Sequence, residues 1–187
     1  MILLLLLVSI RIYKESDFIH LKCIISDVDG KRYCVRERKK LELAADRLAS
    51  VNVIMSKLVD HVNNKYPNRE NIKRLKKGYN PKKICETLPT SEYTAYSQNK
   101  GEKLAFCLDT EKKGGQLIDI NTLTFVAIHE LSHVASKSTG HTEEFWKNFK
   151  FLLEEADRIN VYKPEDYKEK SRRYCGMNIT DNPMFDL

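Results

Sequence analysis

No Cys-x-x-Cys pair occurs in this sequence, and its five cysteines, Cys23, Cys34, Cys85, Cys107 and Cys175, are odd in number and widely spread. That pattern does not read as a disulfide framework. Cysteines among apolar neighbours, as in Leu104-Ala-Phe-Cys107-Leu108, read instead as small core thiols in a reducing compartment. The expected location is therefore cytoplasmic, nuclear or virion-associated, not secretory, and the acceptor-like Asn178-Ile-Thr180 reads as chance. No internal repeat or low-complexity tract is present. Nor does any apolar run reach the length of a bilayer span. The longest, Met1 to Ile10, is closed by Arg11 and is too short. It has no basic residue before it and no small-x-small site after it, so it does not read as a signal peptide. A buried first strand or the stump of a longer hydrophobic segment is expected there, with a shallow membrane anchor as the rival.

What is present is enough for one domain. The chain has 187 residues, 42% of them hydrophobic, which supports a buried core without staples, and a monomer is expected. Charged residues make up 31%, and the net charge of +6 eases the approach of anionic partners without demanding one. The expected organisation is an apolar segment over residues 1–17, a main domain over 18–162, and a tail over 163–187 that wraps its surface.

Local patterns predict an α+β fold. Ile19, Leu21, Cys23 and Ile25 alternate, Asp29-Gly30 supplies a turn, and Arg32 to Val35 resumes an extended run, which predicts a β-hairpin. Neither Gly nor Pro interrupts Arg36 to Lys65, where Leu41, Ala45, Leu48, Met55, Leu58 and Val62 recur at helical spacing. A second, basic helix is expected over Asn71 to Lys77, broken at Gly78. Tyr93 to Tyr96 and Lys103 to Leu108 predict a second hairpin whose outer strand is open to a partner. Asn121 is expected to cap a helix running to about Ser138, and Thr142 a last helix bearing Phe145, Trp146, Phe149, Leu152, Leu153 and Ala156 as an apolar stripe.

The chemistry lies in the first of those two helices. Phe125-Val-Ala-Ile-His129-Glu130-Leu-Ser-His133 contains a His-Glu-x-x-His motif in an apolar run. Helical i, i+4 spacing puts His129 and His133 on one face, within reach of one Zn²⁺. Glu130 is placed to take a proton from an activated water while staying off the metal. Only five histidines exist, and three of them fall within thirteen consecutive residues. The break at Gly140 lets the chain turn back and offer His141 as third ligand, with Glu144, Glu154 and Asp157 as alternatives. A purely structural site would ask for four protein ligands and has no use for Glu130.

These residues, with Gly140-His141-Thr-Glu-Glu-Phe145-Trp146 after them, resemble the WLM and SprT-like zinc metalloproteases. The longer sequence, including Cys175-Gly-Met-Asn-Ile-Thr-Asp-Asn-Pro183, is similar to WLM-type proteins of large DNA viruses. The resemblance covers the central third and implies a minimal zincin fold, a small mostly antiparallel sheet packed on the motif helix. It implies His129, His133 and His141 as zinc ligands and Glu130 as general base of a peptidase. One departure is that seven residues separate His133 from His141, where the WLM pattern has five. Members of both families act on proteins crosslinked to DNA, and the lysines from Lys73 to Lys83 are compatible with a DNA-proximal role. A substrate strand is expected to add along Leu104 to Leu108, with Tyr162, Tyr167, Arg172, Arg173 and Tyr174 as oxyanion donors to choose from. The rival class is a zinc-containing nucleic-acid or protein binding module without turnover.

Overall fold

The computed structural model describes residues 21–186 together with Leu5, so the expectations for Met1 to Ile10 and for Ile19 lie outside the described residues. The predicted first hairpin is β1 (Leu21–Ile25) and β2 (Arg32–Arg36), paired antiparallel with Cys23 opposite Cys34. Arg36, expected to open the long helix, ends β2 instead. Its N–H donates to Glu86 at 2.6 Å and its guanidinium to the Thr87 carbonyl at 2.7 Å, bonds that hold the backbone extended. Helix α1 therefore starts later, covering Leu41–Lys65, with Ala45, Leu48, Met55, Leu58 and Val62 buried as its periodicity requires.

Helix α2 (Glu70–Gly78) is short and basic. After it come β3 (Ile84–Glu86), β4 (Ala95–Gln98) and β5 (Lys103–Phe106), and the sheet runs in the order β1-β2-β3-β5-β4. Most of the ladder is antiparallel, from β1 with β2 and β4 with β5, while β3 pairs parallel to both β2 and β5. This order corrects one expectation. The strand at Leu104 has β3 on one side and β4 on the other, so it cannot accept a further strand. Among the described residues the edge of the sheet on this side is β4.

The turn from β4 to β5 is built on Asn99, Lys100 and Gly101, all with positive φ. It lands on the end of α2 so closely that a Cβ on Gly78 would lie 2.4 Å from the Lys100 carbonyl oxygen and 2.7 Å from Val134. Glycine is required there by contact rather than by dihedral angle. The contact fixes Lys100 beside the motif helix.

Helix α3 (Ile120–Ala135) is buried nearly all round, and α4 (Glu143–Arg158) packs along it. After α4 the chain forms a small hairpin, β6 (Arg172–Tyr174) with β7 (Met177–Ile179), and a 3-10 turn at Pro183–Phe185. This last segment enters the core, because Tyr162, Tyr167 and Tyr174 are at most 3% exposed. Phe125 of α3 packs on two of them, with ring centroids 6.1 Å from Tyr162 and 4.9 Å from Tyr167.

The cysteines are a second correction. Cys23 is joined to Cys34 and Cys107 to Cys175, while Cys85 is buried outside both disulfides. Spacing along the chain does not reveal cross-strand register, which sets Cys23 against Cys34, nor the return of the β6–β7 hairpin to the end of β5. The reducing compartment inferred from unpaired thiols loses that support. Among the described residues no helix is long and apolar enough to cross a membrane.

Candidate metal centre

Asp119, not Asn121, caps α3. Its carboxylate accepts the Thr122 N–H at 2.9 Å and the Thr122 hydroxyl at 2.7 Å, and a negative cap also favours the helix dipole. Asn121 instead pairs with the main chain of Lys163 through both its amide groups, at 2.9 Å each, and ties the C-terminal segment to α3. From this start the helix carries His129 and His133 on the face toward α4 and the loop that follows.

The helix stops at Ala135, three residues short of the expected end, because side chains take over the backbone groups beyond it. Lys100 Nζ donates to the carbonyls of His133, Ser136 and Ser138 at 3.3, 3.0 and 2.6 Å. Arg74 donates to the Ala135 carbonyl at 2.8 Å and to Glu144 at 3.0 Å. The Glu144 carboxylate accepts the N–H groups of Lys137 and Ser138 at 3.0 Å each and the Ser138 hydroxyl at 2.9 Å. The main-chain bonds come first among the causes that hold Glu144 down to about 2. Lys100 and Glu144 thus grip the carbonyls and the amides of one loop, and that loop delivers His141.

The three histidines converge. One ring nitrogen from each of His129, His133 and His141 lies within 4.8 Å of the others, and the Nε2 atoms of His129 and His141 are 3.0 Å apart. Phe145, fully buried, stands behind all three, with centroid distances of 4.8, 4.3 and 4.7 Å. Burial first, then the charge of His133 and His141, pushes His129 down to about 3, and burial first, then the charge of His141 and Lys100, pushes His133 to about 4. Near neutrality both imidazoles are uncharged and keep a lone pair to donate. Three imidazole nitrogens facing one point, with space beside them, are a donor set that fits a divalent ion of zinc type with an open position. Of the alternative third ligands, Glu144 is engaged by the loop amides, and Glu154 and Asp157 are outside this group.

Glu130 is 5% exposed and lines the same cleft, which has a volume of about 1180 Å³. Burial alone pushes its carboxyl up to about 8, a range in which it can both take and return a proton near neutral pH. The cleft is also lined by the edge strand β4 with its flanks and by residues of the β6–β7 hairpin, which meets the β4 flank at Thr94. Tyr174 is the one proposed oxyanion donor lining the cleft, and its hydroxyl donates to the Thr94 carbonyl at 3.2 Å. Arg172 pairs with Glu165 and Arg173 with Glu111, while Tyr162 and Tyr167 lie beneath Phe125. Of the basic stretch, Lys73, Lys76 and Lys83 pair with Glu70, Asp60 and Glu102.

Sequence reasoning missed Lys100, Arg74 and the backing role of Phe145. Lys100 is 33 residues before His133 and carries no local signal. Phe145 was visible only as one member of an apolar stripe.

The fold and site define a mixed α/β protein with a possible three-histidine metal centre on a His-Glu-x-x-His helix. The profile of the WLM domain matches residues 71–185, and the chain belongs to that family. It is 36% identical over 168 residues to an uncharacterized protein of Acanthamoeba polyphaga mimivirus, covering 84% of this chain and 81% of that one. An uncharacterized protein of Invertebrate iridescent virus 6 is 33% identical over 82 residues, 43% of this chain and 44% of its own. One of Invertebrate iridescent virus 3 is 31% identical over 99 residues, 53% and 57% respectively. No solved structure matches.

Proposed function

We propose that this protein is a zinc-dependent metalloendopeptidase in which His129, His133 and His141 hold the ion and Glu130 is the general base. The observation that carries the reading is the convergence of three imidazoles beside a buried glutamate in a cleft lined by a strand at the edge of the described sheet. Zinc bound there would supply a Lewis acid that acidifies water and polarises a peptide carbonyl. A carboxylate oxygen of Glu130 takes the proton of the attacking water and returns it to the departing amine. The main chain of β4, an edge strand among the described residues, aligns an extended substrate through backbone hydrogen bonds. Val126, one helical turn before Glu130, gives the carboxyl an apolar neighbour in the cleft. Substrates are proteins or peptides, and DNA-associated proteins are included through the stretch from Lys73 to Lys83.

The test compares wild type with Glu130→Gln for zinc content and for cleavage of an unfolded protein, with and without duplex DNA. One zinc per chain in both, with cleavage by wild type only, supports the reading, and stimulation by DNA supports the DNA-associated substrates. Zinc in both with neither active favours the binding-module alternative.

A further inference from the structure

The cleft changes character along its length. On α3 the residues facing it run Phe125, Val126, His129, Glu130, His133, so apolar side chains lie one helical turn before the first histidine and the glutamate. Beyond His133 the lining turns polar or small, with Lys100, Thr139 and Gly140. At the apolar end an aromatic wall is continuous. Phe125 meets Phe149 at a centroid distance of 5.0 Å, and Phe149 meets Trp146 at 6.2 Å and His129 at 5.2 Å. Ile179 of β7 also lines the cleft, with Asn178, Thr180 and Asp181 beside it.

Trp146 is 43% exposed although Phe145 and Phe149 on the same helix are buried. Its ring lies 5.9 Å from that of His141, so the open apolar surface abuts the metal centre directly. Such surface, concave and contiguous with a reactive site, gains most from a ligand that takes it out of water. A charged side chain entering there would lose its hydration against Phe125, Val126 and Phe149, which offer no compensating hydrogen bond from their side chains.

We infer that this end of the cleft is the specificity subsite and takes a large apolar side chain, of leucine or phenylalanine size, adjacent to the bond that is cut. The inference rests on the peptidase reading for the bond, and on the cleft wall alone for the side chain. The exposed Trp146 ring lies beside that of His141, so a side chain seated on Trp146 belongs to a residue flanking the reacting carbonyl.

Trp146 is the only tryptophan in the chain, so its emission reports the subsite without interference. Zinc-loaded Glu130→Gln protein is titrated with peptides that differ only in having Leu, Phe, Ala or Asp at one position, and zinc-loaded wild type digests a degenerate peptide library in parallel. The expected results are a blue shift of Trp146 with the Leu and Phe peptides, binding at least about tenfold tighter than Ala or Asp, and a similar preference in kcat/KM at one position beside the cut. Cleavage without preference, a preference for charged residues, or an emission that apolar peptides leave unmoved overturns the subsite and leaves the peptidase reading standing. Tight binding and a blue shift with apolar peptides, but no cleavage by wild type, retains the subsite and overturns the peptidase reading.

Discussion

Replacing Lys100 by alanine removes three hydrogen bonds at once from the loop that carries His141. The donors are on one ammonium group, and the acceptors are the carbonyls of His133, Ser136 and Ser138. Alanine keeps a Cβ at this left-handed position (φ 56), so backbone strain is little changed and the loss is chiefly that of the side chain. Hydrogen bonds to a charged group contribute roughly 1.5–3 kcal/mol each, but water can reach part of the loop and recover much of this. A net loss of about 2–3 kcal/mol follows from the same range. Some of it appears as lower stability. The remainder appears as weaker zinc binding, because a loop no longer held must be ordered when the metal binds. Loss of an interaction that orients ligands lowers metal affinity by roughly 10–100-fold. The assay is competition for zinc against a fluorescent chelator, with thermal unfolding of the metal-free protein as the measure of fold. Lys100→Arg should recover part of the affinity. Lys83→Ala is the control, since Lys83 pairs with exposed Glu102 at 3.2 Å and should change stability by less than ~1 kcal/mol. A folded Lys100→Ala protein that binds zinc within twofold of wild type would refute the reasoning.

Further outcomes follow from the same structure. Phe145→Ala opens a cavity behind all three imidazoles and should destabilise the chain by roughly 3–5 kcal/mol, measured by urea unfolding, with a loss of zinc affinity beside it. Burial raises Glu155, but hydrogen bonds from His61, Tyr66 and Lys65 and the charge of Arg158 outweigh it and leave the group at about 2. Its stabilising contribution, about 3 kcal/mol at most, is therefore complete above the unfolded value near 4.5 and is lost as pH falls toward 2. Wild type should exceed Glu155→Gln in stability at pH 6 and converge with it near pH 2. Peptide mapping without reductant should recover Cys23 linked to Cys34 and Cys107 linked to Cys175. Reduction should lower stability by up to about 4 kcal/mol through the longer of the two loops.

Much of this was legible in the sequence, and what was not has a common cause. The apolar stripe of α1 and the turn at Asp29-Gly30 are local signals, and the helix and hairpin follow from them. His129 and His133 are likewise related by one helical turn, so their shared face was readable, and the Gly140 break made the return of His141 readable as well. The order of the strands was not. Whether β4 or β5 forms the edge depends on β3, three buried residues whose parallel pairing is set by a crossover and not by any repeat in the chain. The disulfides, the core position of Tyr174 and the reach of Lys100 also depend on contacts between residues 11 to 80 positions apart. The misplaced N-cap has a different origin. Asp119 and Asn121 are both good caps, and the choice was made by Lys163, which offers Asn121 a main-chain partner.

The central claim is that Glu130 and the three histidines act as one hydrolytic unit. The most direct measurement removes metal from purified wild type and Glu130→Gln protein, returns one equivalent of zinc to each, and follows cleavage of an unfolded protein substrate. The account predicts that both bind the zinc, that metal-free wild type is inert, and that only reconstituted wild type cleaves. Equal cleavage by the two zinc-loaded proteins, or cleavage by wild type that survives metal removal, would contradict it.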